Sequence, residues 1–169
     1  MLLNKRSSQI SIGGISTAIS VLCLLLTSVF PFWKLAFSFV SSVIVGVLII
    51  AYGYKIGLIH YVAVSLLALF LVPNKTIAIF YAVVVGNYPA VKFLLDRLKN
   101  NWLKLFLKLI LYNVYMIICY TLAVTILNID MYLGYPVWIL WILMIVAFCF
   151  YDFIYMPFVT RVYSLLNKR

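Results

Sequence analysis

The stretch at residues 35–72, "LAFSFVSSVIVGVLIIAYGYKIGLIHYVAVSLLALFLV", decides the fold, because it reads either as one long apolar helix or as two short ones. A single helix of that length would reach about 57 Å at ~1.5 Å per residue, nearly twice the ~30 Å hydrocarbon core of a bilayer. Gly53, Tyr54 and Lys55 interrupt the apolar run near its middle. The reading that fits is a tight hairpin of two membrane-crossing helices, 35–52 and 56–72.

The same measure, carried outward along the 169 residues, gives four more apolar stretches at 10–30, 77–95, 103–127 and 135–156. The fold class expected is therefore an all-α membrane protein: six transmembrane helices in a single integral membrane domain, 1–169, with nothing left over for a soluble domain. Composition agrees, since 67% of residues are hydrophobic and only 9% charged, with a mean hydropathy of +1.20. The breaks between spans, "FPFWK", "VPNK", "KNN" and "LNIDMYLGYP", carry the Pro, Gly, Asn and charged residues that end helices. The N-terminal basic pair followed by an apolar stretch has the outline of a secretory signal. "LTSVFPFW" offers no small-x-small cleavage site, so a retained first helix is expected.

Cytoplasmic loops hold Lys and Arg in excess, which sets orientation. With six spans and both termini inside, Lys5, Arg6, Lys55, Lys92, Arg97, Lys99, Lys104, Lys108, Arg161, Lys168 and Arg169 share the inner side, and only Lys34 and Lys75 lie outside. The net charge of +10 then reads as a topology signal rather than a nucleic-acid footprint, because the basic residues follow one membrane face. Cys23, Cys119 and Cys149 fall within spans without CxxC spacing, so packing is expected of them and neither a metal nor a cofactor. Glu is absent, Asp96, Asp130 and Asp152 are the only acids, and no Gly-rich phosphate loop or nucleophile set is present. An enzyme is not expected.

Residues 86–101, "GNYPAVKFLLDRLKNN", pack Asn, Tyr and Pro together and then release a burst of charge. Pro89 cannot donate to the carbonyl of Val85, so the fourth helix should kink or end there. Beyond it Phe93, Leu94, Leu98, Trp102 and Phe106 recur at helical spacing, with Lys92, Asp96, Arg97 and Lys99 on other faces. This pattern predicts an amphipathic segment along the inner surface, either resting in the headgroup layer on Trp102 or docking a partner through Lys92, Arg97 and Trp102. Counted from Lys75, Asn87 lies about 18 Å deep. His60, Asn87, Asn113 and Asp152 are expected at similar depth as an inner polar layer whose members find one another, as glue between helices or as a proton relay. Asp152 has the alternative of pairing with Lys92 or Lys108.

At the outer side Trp33, Lys34, Tyr81, Asn128, Asp130, Tyr132, Tyr135, Trp138 and Trp141 combine aromatic walls with a few polar groups. That mixture suits a small-molecule pocket, and it equally suits an interfacial aromatic belt.

The first span carries "GGISTAIS", with Gly14 and Ala18 four apart, as are Gly13 with Thr17 and Ser16 with Ser20. Six helices in a short chain, basic termini and this small-residue face resemble the substrate-binding S component of energy-coupling factor transporters. That resemblance implies a bacterial plasma-membrane protein that captures a vitamin-like or other small nutrient. It also implies that the Gly14 and Ala18 face meets a transmembrane coupling protein with associated ATPases. The span number and the basic turn "YGYKIGL" are also similar to the rod-shape protein MreD family, which implies instead a non-transporting membrane scaffold acting through helix contacts.

Overall fold

The computed structural model describes residues 2–125 and 137–166, and every regular element among them is helical. The elements are α1 (Leu2–Val29), a short 3₁₀ turn (Pro31–Trp33), α2 (Lys34–Tyr52), α3 (Tyr54–Leu71), α4 (Lys75–Phe80), a π-helical segment (Tyr81–Val85), α5 (Tyr88–Leu95), α6 (Asn101–Thr125) and α7 (Val137–Leu166). They form six rods, since α4, the π segment and α5 run on as one. Four stretches, Ile10–Val29, Lys34–Tyr52, Tyr54–Leu71 and Lys75–Leu95, are long and apolar enough to cross a membrane. α6 and α7 are 25 and 30 residues long.

The hairpin at 35–72 is present and tighter than expected, with Gly53 alone separating α2 from α3. Its φ of 95° lies where a side chain is strained, and its amide closes the helix on the Ile49 carbonyl at 3.0 Å. α7 also departs from expectation. It continues ten residues past the predicted end at 156 and carries Pro157 inside it.

α2 is the hub of the bundle, in contact with α1, α3, α5, α7 and the π segment. Its buried face is rich in small residues, Ser38, Ser41, Ser42 and Gly46, which let neighbouring backbones come close. At Gly46 an added Cβ would stand 2.7 Å from the Tyr155 hydroxyl and 3.2 Å from the Val159 methyls, so α7 approaches α2 at the one place with no side chain. Two cores flank this hub. Val21 and Leu24 of α1, Val64 and Ala68 of α3, and Ala78, Tyr81 and Val85 form one. Val43, Tyr88, Tyr112, Phe148, Tyr155 and Val159 form the other.

The outward surface is also apolar: Phe32, Trp102, Phe70 and Phe153 are 97, 82, 81 and 81% exposed. Such an exterior is costly in water and cheap in lipid, so it is compatible with a multi-pass membrane protein.

The surface helix expected over residues 92–102 is not formed. α5 ends at Leu95, turns and bends occupy residues 96–100, and α6 starts at Asn101. Lys92 is only 4% exposed and turns into the bundle. The physical reason is that its ammonium has a carboxylate to reach inside, at Asp152.

Candidate functional site

The fourth rod is where the site begins. Without an amide hydrogen at Pro89, the Val85 carbonyl lacks its helical donor. The Ser42 hydroxyl of α2 supplies one instead, at 2.8 Å, and the Tyr61 hydroxyl caps the Ala82 carbonyl at 2.6 Å. The chain above the proline widens into the π segment, closed by the Gly86 amide on the Tyr81 carbonyl at 2.7 Å. Wide turns of this kind recur at functional sites because they turn side chains that a regular helix would hide.

Beside the π segment lies a cavity of about 360 Å³. Leu35 and Phe39 of α2, Phe80, Val84 and Val85 of the fourth rod, Tyr88 of α5, Tyr112, Tyr115 and Met116 of α6, and Phe148 and Tyr151 of α7 line it. Its walls are held by ring contacts. Tyr112 stacks on Phe148 with centroids 4.3 Å apart, and Tyr88 meets Phe148 and Tyr151 edge to face at 5.3 and 5.1 Å.

The hydroxyls around the cavity are largely engaged. Ser42 spends its single proton on Val85, so Tyr151, 3.2 Å away, is the donor to Ser42 Oγ. Tyr155 donates to the Ser42 carbonyl at 2.8 Å. Tyr115 accepts from Asn87 Nδ2 at 3.0 Å. Tyr88 points the other way and donates to the Asp152 carboxylate.

Asp152 is the centre of an ionic cluster beneath the cavity. Its carboxylate pairs with Lys92 and, at 3.2 Å, with Lys108 Nζ. Lys92 also donates to the Asp152 carbonyl at 2.8 Å and lies over the Tyr88 ring, 5.6 Å from its centroid. Lys108 reaches on to Asp96 at 3.1 Å. Two cations and two anions balance, which makes the cluster tolerable in an apolar surrounding. Tyr88 belongs to both places, its ring in the cavity wall and its hydroxyl on Asp152.

The polar layer expected of His60, Asn87, Asn113 and Asp152 does not assemble, because each residue is satisfied locally. His60 Nδ1 stands 3.0 Å from Thr17 Oγ1 and Nε2 3.3 Å from Ser20 Oγ. Thr17 gives its proton to the Gly13 carbonyl at 2.8 Å, so His60 donates from Nδ1 and accepts from Ser20 at Nε2. Asn113 accepts from Trp141 Nε1 at 2.9 Å and donates to the Leu109 carbonyl. Of the alternatives for Asp152, both Lys92 and Lys108 are realised.

Four of the residues expected at the outer side, Trp33, Lys34, Tyr81 and Trp141, fall within the described residues, and Trp141 is the one that bonds Asn113. Trp33 is exposed, Lys34 is half-buried with its carbonyl taken by Ser38, and Tyr81 is fully buried in the core between α1, α3 and α4. Asn128, Asp130, Tyr132 and Tyr135, together with the Trp138 side chain, lie outside the described residues. On α1, Gly14 and Ala18 are exposed, and nothing approaches within 4 Å of a Cβ placed at Gly14. Arg97 is exposed with its guanidinium 4.7 Å from the Phe93 ring centroid, and Trp102 stands outward.

Sequence reasoning missed the cavity walls. The signal available was Phe148 and Tyr151 of α7, and Tyr112, Tyr115 and Met116 of α6, spaced three and four apart and therefore on one face of each helix. Comparison of the chain with protein-family models, characterised proteins and solved structures finds no match.

Proposed function

We propose that this chain is a small multi-pass membrane protein, with both termini on the cytoplasmic side, that binds a small molecule in the cavity between α2, the fourth rod, α6 and α7 as the substrate-binding subunit of an uptake system. The observation that carries the reading is the cavity itself, about 360 Å³ between four rods of the bundle and bounded by a helix distortion. Ligand pockets span roughly 300–1,000 Å³ and favour clefts between helices with apolar and aromatic walls. The exposed Gly14 and Ala18 face of α1 suits close approach by a helix of a coupling protein, since small side chains let backbones meet.

The same α1 face supports the second reading, a membrane scaffold that works only through helix contacts. The two readings part at the cavity. A ligand that binds the native state must raise its stability, so a panel of small nutrients should shift thermal unfolding of the parent chain, and Val84→Phe or Met116→Trp, which fill the cavity, should remove the shift. Function that survives filling, with loss on enlarging Gly14 and Ala18, would establish the scaffold instead.

A further inference from the structure

Resting on the cavity reading above, we infer that the occupant is an uncharged, ring-bearing molecule with a hydrogen-bond acceptor such as a ketone, rather than a carboxylate, an ammonium compound or a lipid tail.

The absence of charge follows from the partners already taken. No Lys, Arg, His, Asp or Glu is among the eleven lining residues, and Lys92, Lys108, Asp96 and Asp152, which lie beyond Tyr88, are tied to one another. A charged ligand would have to be buried without a counter-ion or break a balanced cluster, and either is expensive.

The preference for rings follows from shape. Seven of the eleven lining side chains are aromatic, and the Tyr112 and Phe148 pair shows how flat faces stack in this wall. An apolar cavity of ~150 Å³ accepts one benzene ring, so about 360 Å³ leaves room for roughly two fused rings with a substituent. A flexible acyl chain would match flat walls poorly and lose more conformational freedom on entry.

The acceptor follows from proton counting. Tyr151 and Tyr88 have each committed the hydroxyl proton, to Ser42 and to Asp152. Among the described residues Tyr115 only accepts, in its bond from Asn87, so its own proton is available to a ligand oxygen.

The test uses three matched probes with the full chain in lipid nanodiscs: 2-acetonaphthone, neutral with a ring and a ketone; 2-naphthoate, the same ring with a charge; and 2-decanone, the same ketone on a chain. The expected result is thermal stabilisation by acetonaphthone, with naphthoate weaker by on the order of 100-fold, as burial of an unpaired charge dictates. Decanone should be weaker by about tenfold, and Tyr115→Phe should weaken acetonaphthone by about 2- to 10-fold. Val84→Phe and Met116→Trp are both measured, and loss of the shift in whichever folds assigns it to the cavity. Naphthoate binding as tightly as the ketone would overturn the uncharged class while leaving the cavity a ligand site. Decanone binding as tightly would overturn the ring preference and assign the space to lipid. No shift by any of the three or by a panel of small nutrients would sink both this inference and the binding reading beneath it.

Discussion

Replacing Asp152 by Asn strips the ionic cluster of its centre. The parent cluster is neutral, with Lys92 and Lys108 against Asp96 and Asp152, and Asp152→Asn leaves it with one uncompensated positive charge. Lys92 is the residue stranded: its side chain is 5% exposed and, among the described residues, it forms an ion pair with no second carboxylate, whereas Lys108 keeps Asp96 at 3.1 Å. Breaking a fully buried pair costs ~3–5 kcal/mol, and because the Asp152 side chain is 24% exposed the cost falls below that range, to about 2–3 kcal/mol. For a chain of this length that corresponds to a fall in Tm of roughly 4–12 °C. Lys92→Met alone should cost a similar amount with the opposite charge imbalance. The double variant Lys92→Met with Asp152→Asn restores neutrality and should return to within ~1 kcal/mol of the parent, since a buried pair replaced as a pair is near neutral. Thermal unfolding of the four proteins in one detergent completes the cycle. If the double variant falls by the sum of the two singles, Lys92 and Asp152 do not stabilise one another and the cluster is only an arrangement of neighbours.

Reporter fusions after Lys55, Lys99 and Arg169 should report the cytoplasm, and those after Lys75 and Asp130 the exterior, because 11 of 13 basic residues then share the inner side; an external signal at Lys99 would overturn the topology. Gly46→Val should destabilise by about 1–3 kcal/mol, as Tyr155 and Val159 leave no room for a side chain. Gly14→Leu with Ala18→Leu should leave unfolding unchanged and abolish co-purification of a transmembrane partner, and loss of folding there would show the face packs internally. Ser42→Ala should cost about 1 kcal/mol in the parent and much less beside Pro89→Ala, whose restored amide hydrogen can satisfy the Val85 carbonyl; equal costs in both backgrounds would refute the capping role of Ser42.

Length and hydropathy were enough to read the six rods, because the distance a helix must cover is a one-dimensional constraint. That Pro89 disturbs the fourth helix was legible for a similar reason: a missing amide hydrogen is a local fact. Its repair was not, since Ser42 lies 43 residues away and only packing brings its hydroxyl to Val85. The expected surface helix failed at Lys92 because the amphipathic rule assumes water outside. On a chain whose exterior is itself apolar, Phe93 and Leu94 gain little by turning inward, whereas Lys92 gains a carboxylate from Asp152, 60 residues along the chain. Tyr81 fits the same account. Its place beside outer aromatics suggested a pocket wall, yet α1 and α3 enclose it, and the cavity formed on the other side of the fourth rod.

The one-residue turn at Gly53 also sets how a tilt of α2 would be felt along its length. Its fulcrum is the end held to α3, and displacement grows with distance from it. A tilt of about 10° moves Gly46 by only about 2 Å but swings Leu35, about 27 Å along the axis, through about 5 Å. The arm therefore moves least where Gly46 seats Tyr155 and most where Leu35 and Phe39 wall the cavity. Leu35 and Phe39 are thus the cavity walls whose position depends most on the angle of α2, and Gly46 the contact that depends on it least.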